Sequence, residues 1–240
     1  MSTRPSPSWN VLPHGPLEQL SENLWRVEGS LPNMSLKRVM TVVRRDDGTL
    51  VIHNAIALEE PLQRQLEALG PLTSLIVPSG VHRLDAPAYK QRYPSLQVFA
   101  PSGGRLKVEE KVPVDGTYED FPHGEDVWLE MLHGIKDQEG AMLVRSRDGT
   151  SLVLNDAVFN MDRKRDVLGF LFTTVLGSAP GPRVSRLSKL LLVKEPRALR
   201  ADLERYAALP GLVRLIVSHE KVASGSDASQ ALRQAATYLR

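Results

Sequence analysis

Hydrophobic and polar positions along the chain change period several times, and each change marks an element. Leu24-Trp-Arg-Val-Glu28 alternates apolar and polar side chains, which is the period of a half-buried strand. A second run from Lys37 to Arg45 ends in the turn residues Asp46-Asp47-Gly48, and Leu50 to Ile56 returns as its hairpin partner. From Glu59 to Leu69 the positions Leu62, Leu66 and Leu69 fall at helical spacing and stop at Gly70-Pro71, predicting an amphipathic helix. The strand beginning at Ser74 follows, then a short helix from Ala86 to Tyr93 stopped by Pro94, then the strand Leu96 to Ala100. This is a β-α-β-α-β progression.

The second half repeats the theme with antiparallel strands. Val127 to Leu132, Ala141 to Arg147 and Ser151 to Leu154 read as strands, the last two joined by the turn Arg147-Asp148-Gly149. Pro196 to Leu209 is helical with Leu199, Leu203 and Tyr206 on one face, a strand starts at Val213, and Asp227 to Leu239 closes the chain as a helix capped by Ser226 or Asp227. Two mixed strand groups with interleaved helices predict an α/β (α+β) domain in which two mixed sheets pack face to face with helices outside. Within the long connection from Asn160 to Pro182, the apolar piece Leu168 to Leu176 reads as core, with a lid or a partner surface as the other readings. The Pro/Ser-rich start predicts a poorly ordered segment over residues 1–20, and residues 21–240 read as one domain because no Gly/Ser tract divides them.

Composition narrows the chemistry. The 240 residues, 42% hydrophobic, suffice for a sizeable core. Lys and Arg total 30 against 28 Asp and Glu, and aromatics make up 5%, so nothing here resembles a nucleic-acid footprint. With no cysteine, disulfides, thiolate zinc sites and cysteine nucleophiles are excluded, and any metal must rest on His, Asp or Glu. No apolar run approaches the roughly 20 residues of a membrane helix, and no signal-peptide core opens the chain, so the expectation is a soluble cytoplasmic protein without membrane or nucleic-acid partners.

Three strand exits carry the chemistry. The run Ser74 to Val77 breaks at Pro78 and Gly80 and delivers His82 and Asp85, Ser151 to Asn155 delivers Asp156, and Val213 to Ser218 delivers His219. The carboxyl ends of parallel strands open into the crevice where α/β proteins bind ligands, and imidazole and carboxylate are the usual nitrogen and oxygen ligands of zinc and iron. Convergence on one metal is the functional reading; an aspartate capping a helix and histidines bonded to backbone are the structural one. His53, mid-strand, reads as a hydrogen-bonded half-buried histidine, and His14 and His123 read as solvated. Pro101 to Arg105 reads as a turn and Met161 to Asp166 as a solvated charge run. No Gly-x-Ser-x-Gly elbow supports a serine hydrolase.

The order of elements and sites from about Leu24 to Leu239 resembles the metallo-β-lactamase superfamily. Arg38 to Arg44, Gly48 to His53, Val77-Pro-Ser-Gly-Val-His82, Tyr93-Pro, Thr150 to Asp156 and Ile216 to His219 are similar to an uncharacterised branch of it, known as a domain of unknown function. The resemblance implies an αβ/βα sandwich with metals at one edge. It also implies a ligand signature His-x-His-x-Asp-His, a second-half histidine, a bridging aspartate and a final histidine. In place of the signature stands Ser79-Gly-Val-His82-Arg83-Leu84-Asp85, a degenerate motif. Asp156 matches the bridging aspartate and His219 the final histidine, while His133, Asp137 or Glu139 are the substitutes available for the second-half histidine. Arg83 and Lys221 would bring positive charge near any metal.

Such a count is too small for two ions and leaves either no metal or a single divalent zinc, iron or manganese on His82, Asp156 and His219. The expected function is a metallo-β-lactamase-fold protein with a depleted metal site and weak or absent hydrolysis. One alternative is a single-metal hydrolase of a small ester, lactone, thioester or phosphoester, with Asp85 as base. The other is an interaction module using Leu168 to Leu176.

Overall fold

The computed structural model describes residues 8–239, in which twelve strands form two sheets. The first runs, in spatial order, β1 (Glu18–Ser21), β2 (Leu24–Leu31), β3 (Met34–Arg44), β4 (Leu50–His53), β5 (Leu72–Ile76), β6 (Gln97–Ala100) and β7 (Gly116–Thr117). Its opening strands are antiparallel hairpins, and from β4 onward the pairing is parallel. Parallel neighbours need crossovers, supplied by α1 (Glu60–Glu67), α2 (Ala86–Arg92) and α3 (Arg105–Glu109). The second sheet runs β12 (Ala223–Ser224), β11 (Leu212–Val217), β10 (Gly149–Leu154), β9 (Gly140–Ser146) and β8 (Val127–Met131). Here β8, β9 and β10 pair antiparallel, and β11 joins β10 parallel. The β10–β11 crossover holds α4 (Val167–Phe170), a π-helical turn over Leu171–Val175, α5 (Arg186–Leu191) and α6 (Pro196–Ala207). The helix α7 (Ser226–Ala236) closes the chain.

Side-chain alternation along the strands sorts the core into layers. Val39, Val43, Val51, Ile76 and Phe99 of the first sheet meet Leu129, Met142, Val153 and Ile216 of the second. The intervening residues Met40, Val42, Ile52, Leu75 and Val98 turn to the opposite face against Leu66 and Tyr89. Leu143, Leu152, Leu215 and Val217 likewise pack outward against Leu199, Leu203 and Leu232. Strands buried on both faces explain why these runs read as continuous apolar sequence. The result is the four-layer αβ/βα sandwich.

Three stretches differ from their sequence reading. The strand β4 stops at His53 rather than Ile56 because Asn54 takes a left-handed backbone, φ 59°, and sends its amide to the Val39 carbonyl at 2.8 Å. The start of the chain is tied down from Trp9 onward: its indole N–H donates to the Leu58 carbonyl at 2.8 Å and its ring packs on Tyr89, while Gly15 and Ser30 bond across to Glu28 and Pro13. One buried-facing aromatic thus anchors a segment whose Pro/Ser content predicted looseness; the residues of that segment before position 8 lie outside the described ones. Finally, Leu168 to Leu176 is not core. Phe170, Leu171 and Val175 are nearly half exposed, and only Gly169 and Thr173 point fully inward, because one helical turn followed by one π turn buries a single narrow stripe. No helix among the described residues is long and apolar enough to cross a membrane.

The inter-sheet layer sets the stability. Ile216→Ala is expected to lower the unfolding free energy in urea by about 2–5 kcal/mol, whereas Leu190→Ala, whose side chain stands in water, stays within about 0.5 kcal/mol. A loss at Ile216 no larger than at Leu190 would contradict this layering.

Candidate metal centre

The carboxyl ends of β4, β5, β10 and β11 meet at one rim because the parallel pairs point the same way and the two sheets face each other. Asn54 follows β4, His82 follows β5 after the Pro78–Gly80 break, Asp156 follows β10 and His219 follows β11. His82 Nε2 lies 3.1 Å from both oxygens of Asp156, and His219 Nε2 lies 3.2 Å from one of them. Among the described residues these three form the group of His, Asp and Glu donors able to hold a metal ion, with ligand atoms within 4.8 Å of one another.

The far nitrogens fix how the rings face this carboxylate. Asn54 spends its amide N–H on Val39, so its Oδ1 faces His82 Nδ1 at 3.3 Å; His219 Nδ1 lies 2.7 Å from the Lys37 carbonyl. A carbonyl oxygen only accepts, so both Nδ1 atoms carry the proton and donate it. In a neutral ring Nε2 is then a lone pair, and two lone pairs aimed at one carboxylate repel it. The arrangement is stable only with positive charge among these atoms, as protons on Nε2 or as a cation. Donating Nδ1–H to a carbonyl is also how histidine ligands to metals are oriented.

Burial alone would push the Asp156 carboxyl up, but the imidazoles of His82 and His219 outweigh it and hold the group well below the usual carboxylate range. Phe159 stacks on the His219 ring with centroids 5.5 Å apart, and Phe172 leans over the same ring from outside at 6.2 Å. Both aromatics keep water from that side of the imidazole.

A buried polar lattice behind the site holds these strand ends in register. Asn155 donates to Glu139 at 2.9 Å and to Ser79 at 3.2 Å, accepts from the Ser218 hydroxyl, and Glu139 accepts from the Ala157 N–H at 2.8 Å. One asparagine therefore links the β5 exit, the start of β9, the end of β10 and the end of β11. Burial, reinforced by the charge of Asp156, pushes the Glu139 carboxyl well above its ordinary value. The sequence reading missed Asn155; the available signal was a polar residue closing an apolar strand directly before Asp156.

Other residues singled out in the sequence lie elsewhere or serve differently. Asp85 is buried and spent, with its Oδ2 2.5 Å from Arg38 and 2.9 Å from the Ala57 N–H, so it is not free to act as a base. His133 is three-quarters exposed and bonds Asp202 at 3.0 Å on α6, away from the rim. Asp137 sits in a left-handed turn, φ 54°, and accepts the Gly103 N–H through its carbonyl. Glu139 is behind the site rather than in it. Arg83 pairs with Glu110 at 3.0 Å and Lys221 with Asp162 at 2.7 Å, so neither cation is directed at the cluster. His14 and His123 are not simply solvated: each accepts a backbone N–H, from Glu59 and Leu129.

His53 departs furthest from its reading. It is 1% exposed rather than half-buried, its Nε2 has no partner, and the hydroxyl of its cross-strand neighbour Thr41 also has none.

The fold and this rim define a class. No protein-family model and no curated protein matches the sequence, yet the chain has the metallo-β-lactamase fold. It superposes on DIM-1 metallo-β-lactamase exposed to ceftazidime with a TM-score of 0.64 at 15% identity, over 96% of this chain and 100% of that one. It is also similar to the metallo-β-lactamases from Pontibacter korlensis (TM-score 0.60, 12% identity, 92% and 98% of the two chains) and from Erythrobacter litoralis (TM-score 0.60, 13% identity, 92% and 96%).

Two measurements follow from these surroundings. Asp85→Ala leaves Arg38 buried without its partner and is expected to lower unfolding free energy by about 3–5 kcal/mol; unchanged stability would reinstate Asp85 as an unencumbered acid. Burial, aided by the nearby His82, lowers the His53 pKa from 6.5 to about 3. Above pH 6.5 His53 is neutral in both states and costs nothing. As pH falls from 6.5 toward about 3 the unfolded chain takes a proton that the folded one refuses, so stability is lost through that window. His53→Gln should flatten the fall in unfolding free energy there by about 1.4 kcal/mol per pH unit, and an identical pH slope in the variant would refute this account.

Proposed function

We propose that this protein binds one divalent metal through His82, Asp156 and His219 and hydrolyses a small ester, lactone, thioester or phosphoester. The observation carrying the reading is the convergence of two Nε2 lone pairs and one ionised carboxylate, with both Nδ1 atoms locked as donors. That set suits zinc, iron or manganese. Its size supports one ion rather than two, a depleted version of the fold's metal site. Ser79, which could have extended the set, already accepts from Asn155, and Arg83 is permanently cationic and turned to Glu110.

When bound, such a metal would supply Lewis-acid polarisation of the scissile group and a lowered pKa for an attacking water. The chain supplies the rest. Asn54 and the Lys37 carbonyl fix the two rings, the Asn155 lattice holds Asp156 at the meeting of the sheets, and Phe159 with Phe172 keeps bulk water off His219. Hydrolysis adds one water across the substrate: a bond forms from the water oxygen to the carbonyl carbon or phosphorus, and the bond to the leaving oxygen or sulfur breaks. One water proton goes to the leaving group, and the other remains on, or is released from, the acid formed.

Elemental analysis of protein prepared without chelator should find close to one equivalent of zinc, iron or manganese. His219→Ala should remove it together with turnover of model esters. Asn54→Ala should weaken metal affinity about ten- to hundredfold, because the His82 ring loses its orienting acceptor. Metal-free protein that cannot be loaded by any of the three ions would sink the proposal.

A further inference from the structure

Two cavities of about 200 Å³ each flank the metal-binding cluster, and they share Val81, Asp156 and Phe172 as a common wall. The inner one runs past Phe159 to Leu187, Leu191 and Leu192; the outer one lies among Leu31, Met34, Leu36 and Leu84. Both are lined mainly by hydrocarbon. Of the cations that line them, Arg38 is paired with the buried Asp85 at 2.5 Å, and Lys107 stands at the exposed edge, 2.8 Å from a Glu110 carboxylate that also holds Arg83. Asp156 is the ionised carboxylate that the two cavities share. Beyond the ligand cluster the walls offer mostly hydrocarbon, which suits a hydrocarbon chain attached to the reacting group.

The rim extends the same surface into water. Val81 is 75% exposed, Leu84 50% and Leu191 58%, yet all three also line the cavities. Phe170, Leu171 and Val175, on the turn that carries Phe172, are nearly half exposed as well. Exposed apolar side chains that also line a cavity mark a ligand path rather than unexplained surface.

We infer that the cleft takes a carboxylic acid derivative, an ester or a thioester, whose apolar acyl chain fills the cavities beside Asp156 and crosses the Val81, Leu84 and Leu191 rim. This rests on the hydrolase reading for its chemistry, but the recognition of the chain does not depend on turnover. Methyl ketones from pentanone to undecanone cannot be hydrolysed and present the same carbonyl and chain, so calorimetric titration with them reads recognition alone. Affinity should rise about fourfold per added methylene until the chain outgrows the cleft. Leu191→Asp and Val81→Asp, both at exposed positions that leave the fold intact, should each weaken the longer ketones more than tenfold and leave pentanone nearly unchanged.

Affinity independent of chain length, or unaltered by both charge substitutions, overturns the inference. A parallel assay with 4-nitrophenyl esters of matching chain length separates the two proposals. Ketone binding that follows chain length without hydrolysis of any ester leaves the acyl cleft standing and removes the hydrolase. Hydrolysis of acetate and octanoate esters at equal kcat/KM, with ketones bound alike, does the reverse.

Discussion

Asp156 is the charge on which the rim depends, because two imidazoles reach it from opposite sheets. His82 arrives on the β5 exit of the first sheet, while Asp156 and His219 leave neighbouring strands of the second. The Lys37 carbonyl of β3 receives the His219 Nδ1–H, and the Val39 N–H reaches the Ser218 carbonyl at 2.8 Å, so the sheets are joined at the place where the ligands gather. Separation of the sheets would undo the site together with the inter-sheet layer. A carboxylate kept ionised between two imidazoles is also a standing demand for positive charge, and this demand gives the rim its chemistry.

Polar groups buried near the rim divide into those that meet the demand and those kept from interfering. Asn155, Glu139, Ser79 and Ser218 form a lattice in which the Glu139 carboxyl, pushed up by burial, adds little competing charge beside Asp156. Arg38 lines the outer cavity but is held by Asp85 and by the Ser30 and Ala55 carbonyls. The same ion pair that disqualifies Asp85 as a base keeps a guanidinium from occupying the place of a cation beside Asp156. Lattice and ion pair together leave the cleft apolar except where the ligand atoms converge, which is the condition under which a metal or proton acts most strongly.

Much of the architecture was legible in one dimension. Strands buried on both faces must be apolar throughout, amphipathic helices must repeat every three to four residues, and Gly-Pro or Asp-Gly pairs must break them; these constraints are local, so the β-α-β progression and the antiparallel second series could be read residue by residue. The strand exits carrying His82, Asp156 and His219 were legible for the same reason. Their polar ends interrupt runs such as Ser151 to Leu154, and the structure gathers them at one rim.

Partnership was not legible. Nothing local distinguishes Asp85, locked to Arg38 across 47 positions, from an acid left free, or His133 bonded to Asp202 from a ligand. The apolar run Leu168 to Leu176 has core composition, yet a single helical turn and a π turn cannot bury all its faces, and its exposure appears only once the neighbouring elements are in place. Sequence alone determined which elements form and which residues leave their ends, because periodicity and chain breaks are properties of neighbours along the backbone. Tertiary structure alone decided which charges are already neutralised, which histidine nitrogens are free and where hydrocarbon lines the cleft, because those depend on atoms brought together from distant parts of the chain.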